Sequence, residues 1–548
     1  MTTTGGAPSA EFDGRTLAEL LAWRIAQNPE AVAVRRRRDG WWHEYSWTEA
    51  GDQVSAIAAG LWARGVVHGA RVLLLGEIDL EMLWTTYAAW TLGAATVSVW
   101  PGGGTEDVAQ VVGDTQPTVA VVRGAREVGQ LLALADTKAP AVIVSWEDDC
   151  TDHSSPDVDV LTFDQLVSDG RSAPPAAAVM LKPGDVTSMF RTSGSTGVPK
   201  LAAHTHTSLI EGTRAFLRAF PADAADDHIP NFNLAAPAEP VVGTVSHLLS
   251  GMRLNFTASR TSYDEDVKDL SPHYMWLMPY QWEARVNALD RPGQTLSVDE
   301  LRHELGLHNT RWAITGGYAI APAAAAWLAG LGVELHKIYA SAEMLIVGSG
   351  LSTGDQQAVG RLLPEVGYEV RNGELFIRWP GLFTGYWGRS DALQDGWYPT
   401  GDLVEVDPDR EVRILGRAQF VAAGPAATAH APEAVEARLR SLAYLQDAFC
   451  LPVEDGGVIA LVTFRVDQAT DRLESDVAAI NEDLTGRPIR TVAVLRRNFD
   501  FDRGELTPTG KLRRGVLQEN FADVIETARS GGLPGGPEVL LAFDRDGG

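Results

Sequence analysis

The sequence has few cysteines, no long apolar run and little positive charge, and each shortage excludes a class of protein. Cys150 and Cys450 are the only cysteines in 548 residues, which excludes a disulfide framework and a zinc site and predicts a reducing, cytoplasmic location. No apolar run is long enough to cross a bilayer, and the first residues lack the pattern of a signal peptide. The 72 acidic and 46 basic residues give a net charge of −26, which disfavours binding to nucleic acids or membrane surfaces.

Helical and strand patterns alternate along most of the chain. This alternation predicts an α/β fold of wound layers with mostly parallel sheets. From Gly373 onward, short strands and turns predict a β-rich subdomain, and after Arg417 a smaller α+β segment begins. The predicted organisation is an N-terminal domain over 1–415, a hinge over 416–419, a mobile C-terminal lid domain over 420–530 and a flexible tail over 531–548.

The polar stretch "RTSGSTGVPK" runs from Arg191 to Lys200. Its glycines permit backbone angles closed to other residues, its hydroxyls and amides can face an anion, and Lys200 adds a positive charge. We therefore predict a cradle for a polyphosphate, with a surface linker as the alternative. The spacing differs from that of the P-loop of GTPases and kinases.

Four more motifs follow in order. They are "KIYASAEM" (337–344), "GWYPTGD" (396–402), "GRAQF" (416–420) and "LTPTGKLRR" (506–514). With the glycine-rich stretch, they resemble the motifs of the adenylate-forming superfamily, which includes acyl- and aryl-CoA synthetases, nonribosomal adenylation domains and luciferases. The opening segment is most similar to long-chain acyl-CoA synthetase-like members. The resemblance implies an AMP-forming acid ligase that uses ATP and Mg²⁺.

The resemblance also implies a role for each matching residue. The β- and γ-phosphates are expected on Thr192, Ser193, Gly194, Ser195, Thr196 and Lys200. Mg²⁺ is expected on Glu343 with Thr196, since Mg²⁺ on a phosphate needs only one or two protein carboxylates. Adenine and ribose are expected against Gly316, Gly317, Tyr339, Ala340, Asp402 and Arg417. Lys511 is expected to bridge the substrate carboxylate and the α-phosphate, where negative charge develops.

Each of these residues also has a structural alternative when it is considered alone. Asp402 could close a turn, Tyr339 could be a core aromatic residue, and Glu343 and Lys511 could be solvated surface charges. The order of the motifs favours the functional interpretation. His204 and His206 ("HTH") are two potential ligands, too few for a metal site, and His206 is expected to be structural or to line the pocket.

The acid pocket is predicted around "PNFNLAAP" (230–237), where relatives that activate aryl acids carry a similar motif. Asn231, Asn233, His247 and Tyr318 are the candidate lining residues. Capping of a helix or a turn is the alternative role for the asparagines. We predict a small aromatic or heteroaromatic acid as the substrate, in preference to a long fatty chain.

The chain departs from the superfamily pattern at several positions. Ala340 and Ala342 replace a glycine and a threonine beside Glu343, so one hydroxyl directed at the phosphates is missing. Leu201 replaces the glycine that follows the Pro-Lys pair, and Gln419 stands where the hinge has Asp or Lys. Positions 426–429 read Ala-Ala-Thr-Ala where CoA ligases have a Gly-Gly-Lys-Asn-like turn, and alanine restricts such a turn.

These departures predict weakened transfer to CoA and leave three acceptors open: CoA, a carrier-protein thiol or an amine. A second hypothesis is a diazotase of specialised metabolism that activates nitrite with ATP and forms an N–N bond on an aryl amine. A third is a degenerate nucleotide-binding protein without activity, which the retention of Glu343, Asp402, Arg417 and Lys511 argues against. The protein is expected to be a monomer or a homodimer.

Overall fold

The structure is a computed structural model. It describes residues 12–101, 104–134, 139–147, 150, 156–192, 199–290, 295–352, 355, 357–389, 392–418, 432–440, 442, 444–453, 457–465, 472–484, 488–501, 503–507 and 510–544. Within these ranges, every helix is too short or too polar to cross a membrane.

The strands are numbered in chain order. They are β1 Val32–Arg38, β2 Trp41–Ser46, β3 Arg71–Leu75, β4 Ala95–Val99, β5 Val119–Val122, β6 Val142–Ser145, β7 Asp159–Thr162, β8 Val186–Arg191, β9 Leu201–Thr205, β10 Asp227–His228, β11 Arg253–Phe256, β12 Tyr274–Trp276, β13 Trp312–Gly316, β14 Leu335–Ser341, β15 Leu345–Leu351, β16 Ala358–Leu362, β17 Gly367–Arg371, β18 Glu374–Arg378, β19 Gly385–Tyr386, β20 Tyr398–Val406, β21 Glu411–Arg417, β22 Leu445–Pro452, β23 Val458–Phe464, β24 Ile489–Leu495 and β25 Val539–Asp544.

The helices are numbered in the same way. They are α1 Leu17–Gln27, α2 Trp47–Ala63, α3 Leu80–Thr91, α4 Thr105–Thr115, α5 Ala125–Leu132, α6 Phe163–Ser172, α7 His206–Ala219, α8 Ser246–Ser250, α9 Tyr263–Leu270, α10 Pro279–Leu289, α11 Val298–Glu304, α12 Pro322–Gly330, α13 Pro432–Arg440, α14 Leu473–Asp483, α15 Arg514–Asn520 and α16 Ala522–Arg529. A π-helix, Pro240–Val245, leads directly into α8.

Three sheets organise these strands, and the predicted α/β class is confirmed. The first sheet has the strand order β17-β18-β20-β21-β16-β15-β14-β13-β12-β10-β11-β1-β2. Its central run from β14 to β1 is parallel, and its flanks are antiparallel. The second sheet, β19-β9-β8-β4-β3-β5-β6-β7, is parallel from β8 to β7, and the third sheet is β22-β23-β24-β25.

Local sequence explains where several helices begin. Thr16 accepts a hydrogen bond from the backbone of Glu19, and the Glu19 side chain accepts one from the backbone of Thr16. This reciprocal capping box fixes the start of α1, and Ser46 with Glu49 fixes the start of α2 in the same way. Strands β3 and β5 are almost wholly buried because helices cover both faces of the parallel sheet, which explains their unbroken apolar sequence.

The β-rich segment predicted after Gly373 is present, and its strands β18, β20 and β21 extend the first sheet through β16. One feature differs from the sequence-based expectations. The flexible tail predicted over 531–548 is wrong for residues 539–544, which form β25 and pair antiparallel with β24. The glycines before this strand hid its short apolar run, Val539 to Phe543. The hinge at Gln419 and the altered turn at 426–429 lie outside the described residues, so the domain boundary stays a prediction.

Candidate active site

The glycine-rich stretch is the connection of a β-hairpin, between β8 and β9. At its base, the backbone amide of Thr192 donates to the carbonyl of Lys200 at 2.8 Å, and the amide of Lys200 donates to Oγ1 of Thr192 at 2.9 Å. These two bonds fix where the loop leaves and rejoins the sheet. Ser193, Gly194, Ser195 and Thr196 lie outside the described residues, so their roles toward phosphate and metal stay predictions.

Glu343 lies on the turn between β14 and β15, and the turn is held from several sides. The Glu343 amide donates to Oγ of Ser341 at 3.2 Å, and the Glu343 carbonyl accepts from the Phe383 amide at 2.8 Å. The Tyr386 hydroxyl donates to Oε1 of Glu343 at 2.8 Å. With only 8% of its surface exposed, this carboxylate is held in place before any ligand binds.

His204 and His206 have structural roles. Nε2 of His204 bonds the carbonyl of Ala342 at 2.8 Å, which anchors the Glu343 turn to β9. Nδ1 of His206 accepts from the Leu17 amide at 3.1 Å. Burial lowers the pKa of both imidazoles to about 4, so both are neutral at pH 7.

Tyr339, Asp402 and Arg417 form a buried network. The Tyr339 hydroxyl donates to Oδ2 of Asp402 at 2.5 Å, and Nη1 of Arg417 donates to Oδ1 of Asp402 at 3.0 Å. Asp402 and Arg417 face each other on β20 and β21, and this carboxylate raises the pKa of Arg417. Tyr339 is 7% exposed and belongs to the hydrophobic core, so its stacking on adenine remains a prediction.

Gly316 ends β13 and Gly317 follows it, at positions where a side chain would meet neighbouring groups. A Cβ at Gly316 would lie 2.6 Å from Cγ1 of Ile338. Gly317 has a φ of +93°, and a Cβ there would lie 2.7 Å from Cε of Met278 and 3.8 Å from Cε of Lys511. Both glycines therefore permit a close approach between the backbone and neighbouring groups. Ala340 lies at a bulge in the pairing of β14 with β15, on the neighbouring strand.

Lys511 is carried into this region by a tight loop of the C-terminal part of the chain. The Lys511 carbonyl accepts from the Thr507 amide at 2.7 Å, and the Lys511 amide donates to Oγ1 of Thr507 at 3.0 Å. Burial and the charge of Arg417 lower the pKa of Lys511, whereas Asp402 and Glu343 raise it. The fold therefore brings Lys511 close enough to interact electrostatically with Arg417, Asp402 and Glu343, which are more than ninety positions away in the sequence.

A cavity of about 700 Å³ opens beside the lysine loop. Asn231, Asn233 and Tyr318 line it, and their contacts with a substrate stay predictions. Asn231 donates to Oε1 of Gln281 at 2.9 Å, and the Tyr318 hydroxyl accepts from the Tyr280 amide at 3.1 Å. The far end of the cavity lies at the carboxyl ends of β3 to β6, the usual ligand-binding edge of a parallel sheet.

His247 does not line the cavity, and the prediction that it would is wrong. Its side chain is fully buried on α8, where the ring stacks on Trp47 at a centroid distance of 4.3 Å. Its Nδ1 bonds the carbonyl of Met252 at 2.6 Å, and burial lowers its pKa to about 3. The helix turns this position toward the core, which the sequence pattern did not reveal.

Two sets of residues were missed from sequence. Tyr386 contacts Glu343, and its ring lies 4.6 Å from Nζ of Lys200. Glu283 and Arg465 meet across the cavity wall, with Oε2 and Nη2 3.6 Å apart. No sequence motif signals either set, because each joins segments that are distant in the chain.

The geometry agrees with the comparisons to known proteins. Residues 21–387 match the family described as AMP-binding enzyme, and the chain belongs to this family. It is 26% identical to a long-chain-fatty-acid–CoA ligase of Mycobacterium bovis, over 95% of this chain and 98% of the relative. It is 25% identical to an indoleacetate–CoA ligase of Aromatoleum aromaticum, over 73% of this chain and 78% of the relative.

Solved structures show the same fold. The A domain of carboxylic acid reductase from Segniliparus rugosus, in complex with AMP and a co-purified carboxylic acid, matches with a TM-score of 0.78 at 18% identity, covering 94% of each chain. O-succinylbenzoate coenzyme A synthetase from Bacillus subtilis, in complex with ATP and magnesium ion, matches with a TM-score of 0.71 at 16% identity, covering 90% of this chain and 98% of the other. The predicted membership of the adenylate-forming superfamily is confirmed, and the chain is an enzyme of the AMP-forming acid ligase type.

Proposed function

We propose that this enzyme activates a small aromatic carboxylic acid as its acyl-adenylate, releases pyrophosphate and passes the acyl group to an acceptor. The observation that carries the proposal is the position of Lys511. It lies beside Gly317, and its pKa responds to Glu343, Asp402 and Arg417. A cation at this point opposes the repulsion between a carboxylate and the α-phosphate, and its charge stabilises the negative charge that develops there.

The residues present fit ATP and Mg²⁺. Bound Mg²⁺ would neutralise phosphate charge, and Glu343 is the carboxylate that would hold it. Lys200, at the base of the glycine-rich loop, would hold the outer phosphates. Asp402 would accept hydrogen bonds from the ribose hydroxyls, because a carboxylate has lone pairs beyond those that Tyr339 and Arg417 occupy.

The cavity favours a polar aromatic acid over a long alkyl chain. Aromatic side chains such as Trp146, Phe232 and Tyr318 line it, together with charged groups of both signs, including Arg123 and Glu147. Arg123 is paired with Glu147 and Glu77, but a methylene chain against these groups would remove their remaining polar atoms from water and offer no hydrogen bonds in return, which is unfavourable. The ring of an aromatic acid could pack against the aromatic side chains, and its polar substituents could hydrogen-bond to the charged groups.

We propose an acceptor other than CoA, and the choice between a carrier thiol and an amine stays open. The proposal rests on the Ala-Ala-Thr-Ala sequence at 426–429, where CoA ligases carry a glycine-rich turn. We also propose that the enzyme acts in the cytoplasm, as its cysteine content predicts.

The size of the cavity supports a second candidate, ATP-dependent diazotisation. A volume of about 700 Å³ exceeds that of one small acid and can hold an organic amine beside a small anion. In this alternative the anion is nitrite, which ATP activates by expelling pyrophosphate, and the amine nitrogen then bonds to the nitrite nitrogen with loss of AMP. Tautomerisation of this N-nitroso product to the diazohydroxide, followed by protonation and loss of water, then gives the aryl diazonium ion.

Pyrophosphate release tests these functions. The purified enzyme is given ATP and Mg²⁺ with panels of aromatic acids, fatty acids, nitrite and aryl amines, alone and in pairs. Release that depends on an aromatic acid supports the first proposal, and release that requires nitrite supports the second. Release only with fatty acids would contradict both, and no release with any panel would support a protein that only binds nucleotides.

A further inference from the structure

We infer that Tyr386 is a positioning residue that holds Glu343 and Lys200 ready for the metal–triphosphate complex. The inference rests on the proposed use of ATP and Mg²⁺. It assigns a role to a residue outside the motifs identified in the sequence.

The Tyr386 hydroxyl fixes one oxygen of the Glu343 carboxylate. It donates to Oε1 at 2.8 Å and is itself hydrogen-bonded to the Tyr398 hydroxyl. This chain of hydroxyls restricts the rotation of the carboxylate, while Oε2 is the oxygen that Tyr386 leaves for another ligand. Such outer contacts to metal ligands commonly tune the affinity for the metal.

The ring of Tyr386 also contacts Lys200. Nζ of Lys200 lies 4.6 Å from the ring centroid, within the range of a cation–π interaction. The register of the second sheet ensures this contact, because Tyr386 pairs with Ala202 and the Trp387 amide donates to the Leu201 carbonyl at 2.8 Å. One side chain therefore contacts both the candidate metal ligand and the candidate phosphate ligand.

Tyr386 offers a reason why this site tolerates Ala342. The superfamily motif has a threonine before the glutamate, and Ala342 has no hydroxyl. Here the Ala342 carbonyl is held by His204, and the hydroxyl next to the carboxylate comes from Tyr386. Tyr386 on β19 thus supplies a hydroxyl beside the carboxylate that Ala342 cannot supply.

The two contacts can be separated by substitution. Tyr386→Phe removes the hydroxyl and keeps the ring, whereas Tyr386→Leu removes both. Tyr368 provides a matched control, because its ring lies 5.2 Å from the guanidinium of Arg410 on a flank of the first sheet. Affinities are measured by calorimetry with the non-cleavable analogue α,β-methylene-ATP, without metal and with Mg²⁺. Mn²⁺ binding in the presence of the analogue is followed by electron paramagnetic resonance.

We expect Tyr386→Phe to weaken Mn²⁺ binding about 2- to 10-fold, the usual effect of one hydrogen bond, and to leave metal-free nucleotide binding unchanged. Tyr386→Leu should also weaken metal-free binding, by about 2- to 5-fold. Tyr368→Phe and Tyr368→Leu should change neither. Unchanged Mn²⁺ binding in Tyr386→Phe would overturn the inference, as would equal losses with and without metal. Absence of any nucleotide binding by the unaltered enzyme would instead refute the proposed function.

Discussion

Nη2 of Arg465 lies 3.6 Å from Oε2 of Glu283, and this ion pair links the third sheet to α10 beside the cavity. Both side chains are largely shielded from water, with 16% and 14% of their surfaces exposed. The pair helps hold the C-terminal segment over the cavity, in the position that brings Lys511 to the site.

The first prediction concerns this ion pair. Arg465→Gln should lower the rate of adenylation several-fold, because the position of the C-terminal segment that brings Lys511 to the site loses an attraction of about 1 kcal/mol. Glu283→Gln should have a similar effect, and the double variant should be no worse than either single variant. Pyrophosphate release measures all three. Arg371→Gln breaks a surface pair with Glu369 and should have no effect. Additive losses in the double variant would show that the two groups act independently.

The second prediction concerns the nearby carboxyl of Asp447. Burial, together with the negative charge of Glu283, raises its pKa to about 6, although the positive charges of Arg440 and Arg465 act to lower it. In the unfolded chain the pKa of an aspartate is about 3.9, so the folded protein binds the carboxyl proton more tightly than the unfolded chain does. The free energy of unfolding therefore falls as the pH rises from about 3.9 to about 6. Asp447→Asn should therefore raise the melting temperature more at pH 8 than at pH 4. A gain that is equal at the two pH values would contradict the raised pKa.

The third prediction concerns Lys511. Because its pKa is lowered, Lys511 loses its positive charge at a lower pH than an ordinary lysine does. As the pH is raised, the rate of adenylation should therefore begin to fall at a lower pH than it would with an unshifted lysine. Lys511→Ala should reduce adenylation by about 100- to 1000-fold. Lys511→Arg keeps its charge, so its weaker activity should persist to higher pH.

The control for this prediction is Lys337→Arg. Lys337 also has a lowered pKa through burial, but its Nζ donates to the Asp355 carbonyl at 3.3 Å, and Lys337 does not line the cavity. In Lys337→Arg, the pH above which the rate of adenylation falls should be the same as in the unaltered enzyme. A wild-type rate in Lys511→Ala would refute the role of Lys511.

The sequence predicts the parts of this site that lie in local motifs. Thr192 and Lys200 bracket one loop, and Asp402 and Arg417 belong to two motifs that the sheet brings face to face. It cannot predict contacts set by strand order, such as that of Tyr386 with Glu343, because β19 joins a different sheet from β14.

The same limit explains the errors in the prediction. His247 is a polar residue in an apolar segment, a pattern equally typical of a pocket and of a buried imidazole bonded to a carbonyl. Only the packing of α8 against Trp47 decides between them. The glycines at 531–536 likewise suggest a loose tail, but the open edge of β24 provides hydrogen bonds that order the residues after them.

The last prediction concerns Gly317. Gly317→Ala should reduce adenylation several-fold, because a Cβ 2.7 Å from Cε of Met278 would push the end of that side chain aside next to Lys511. Gly332→Ala is the matched control: its φ is +71°, but a Cβ there meets nothing within 4 Å. Both variants should lose about 1 kcal/mol of stability through the left-handed backbone, and only Gly317→Ala should lose activity. Adding Met278→Ala should restore part of the rate. If the two glycine variants lost activity equally, backbone strain and not the contact with Met278 would explain the effect.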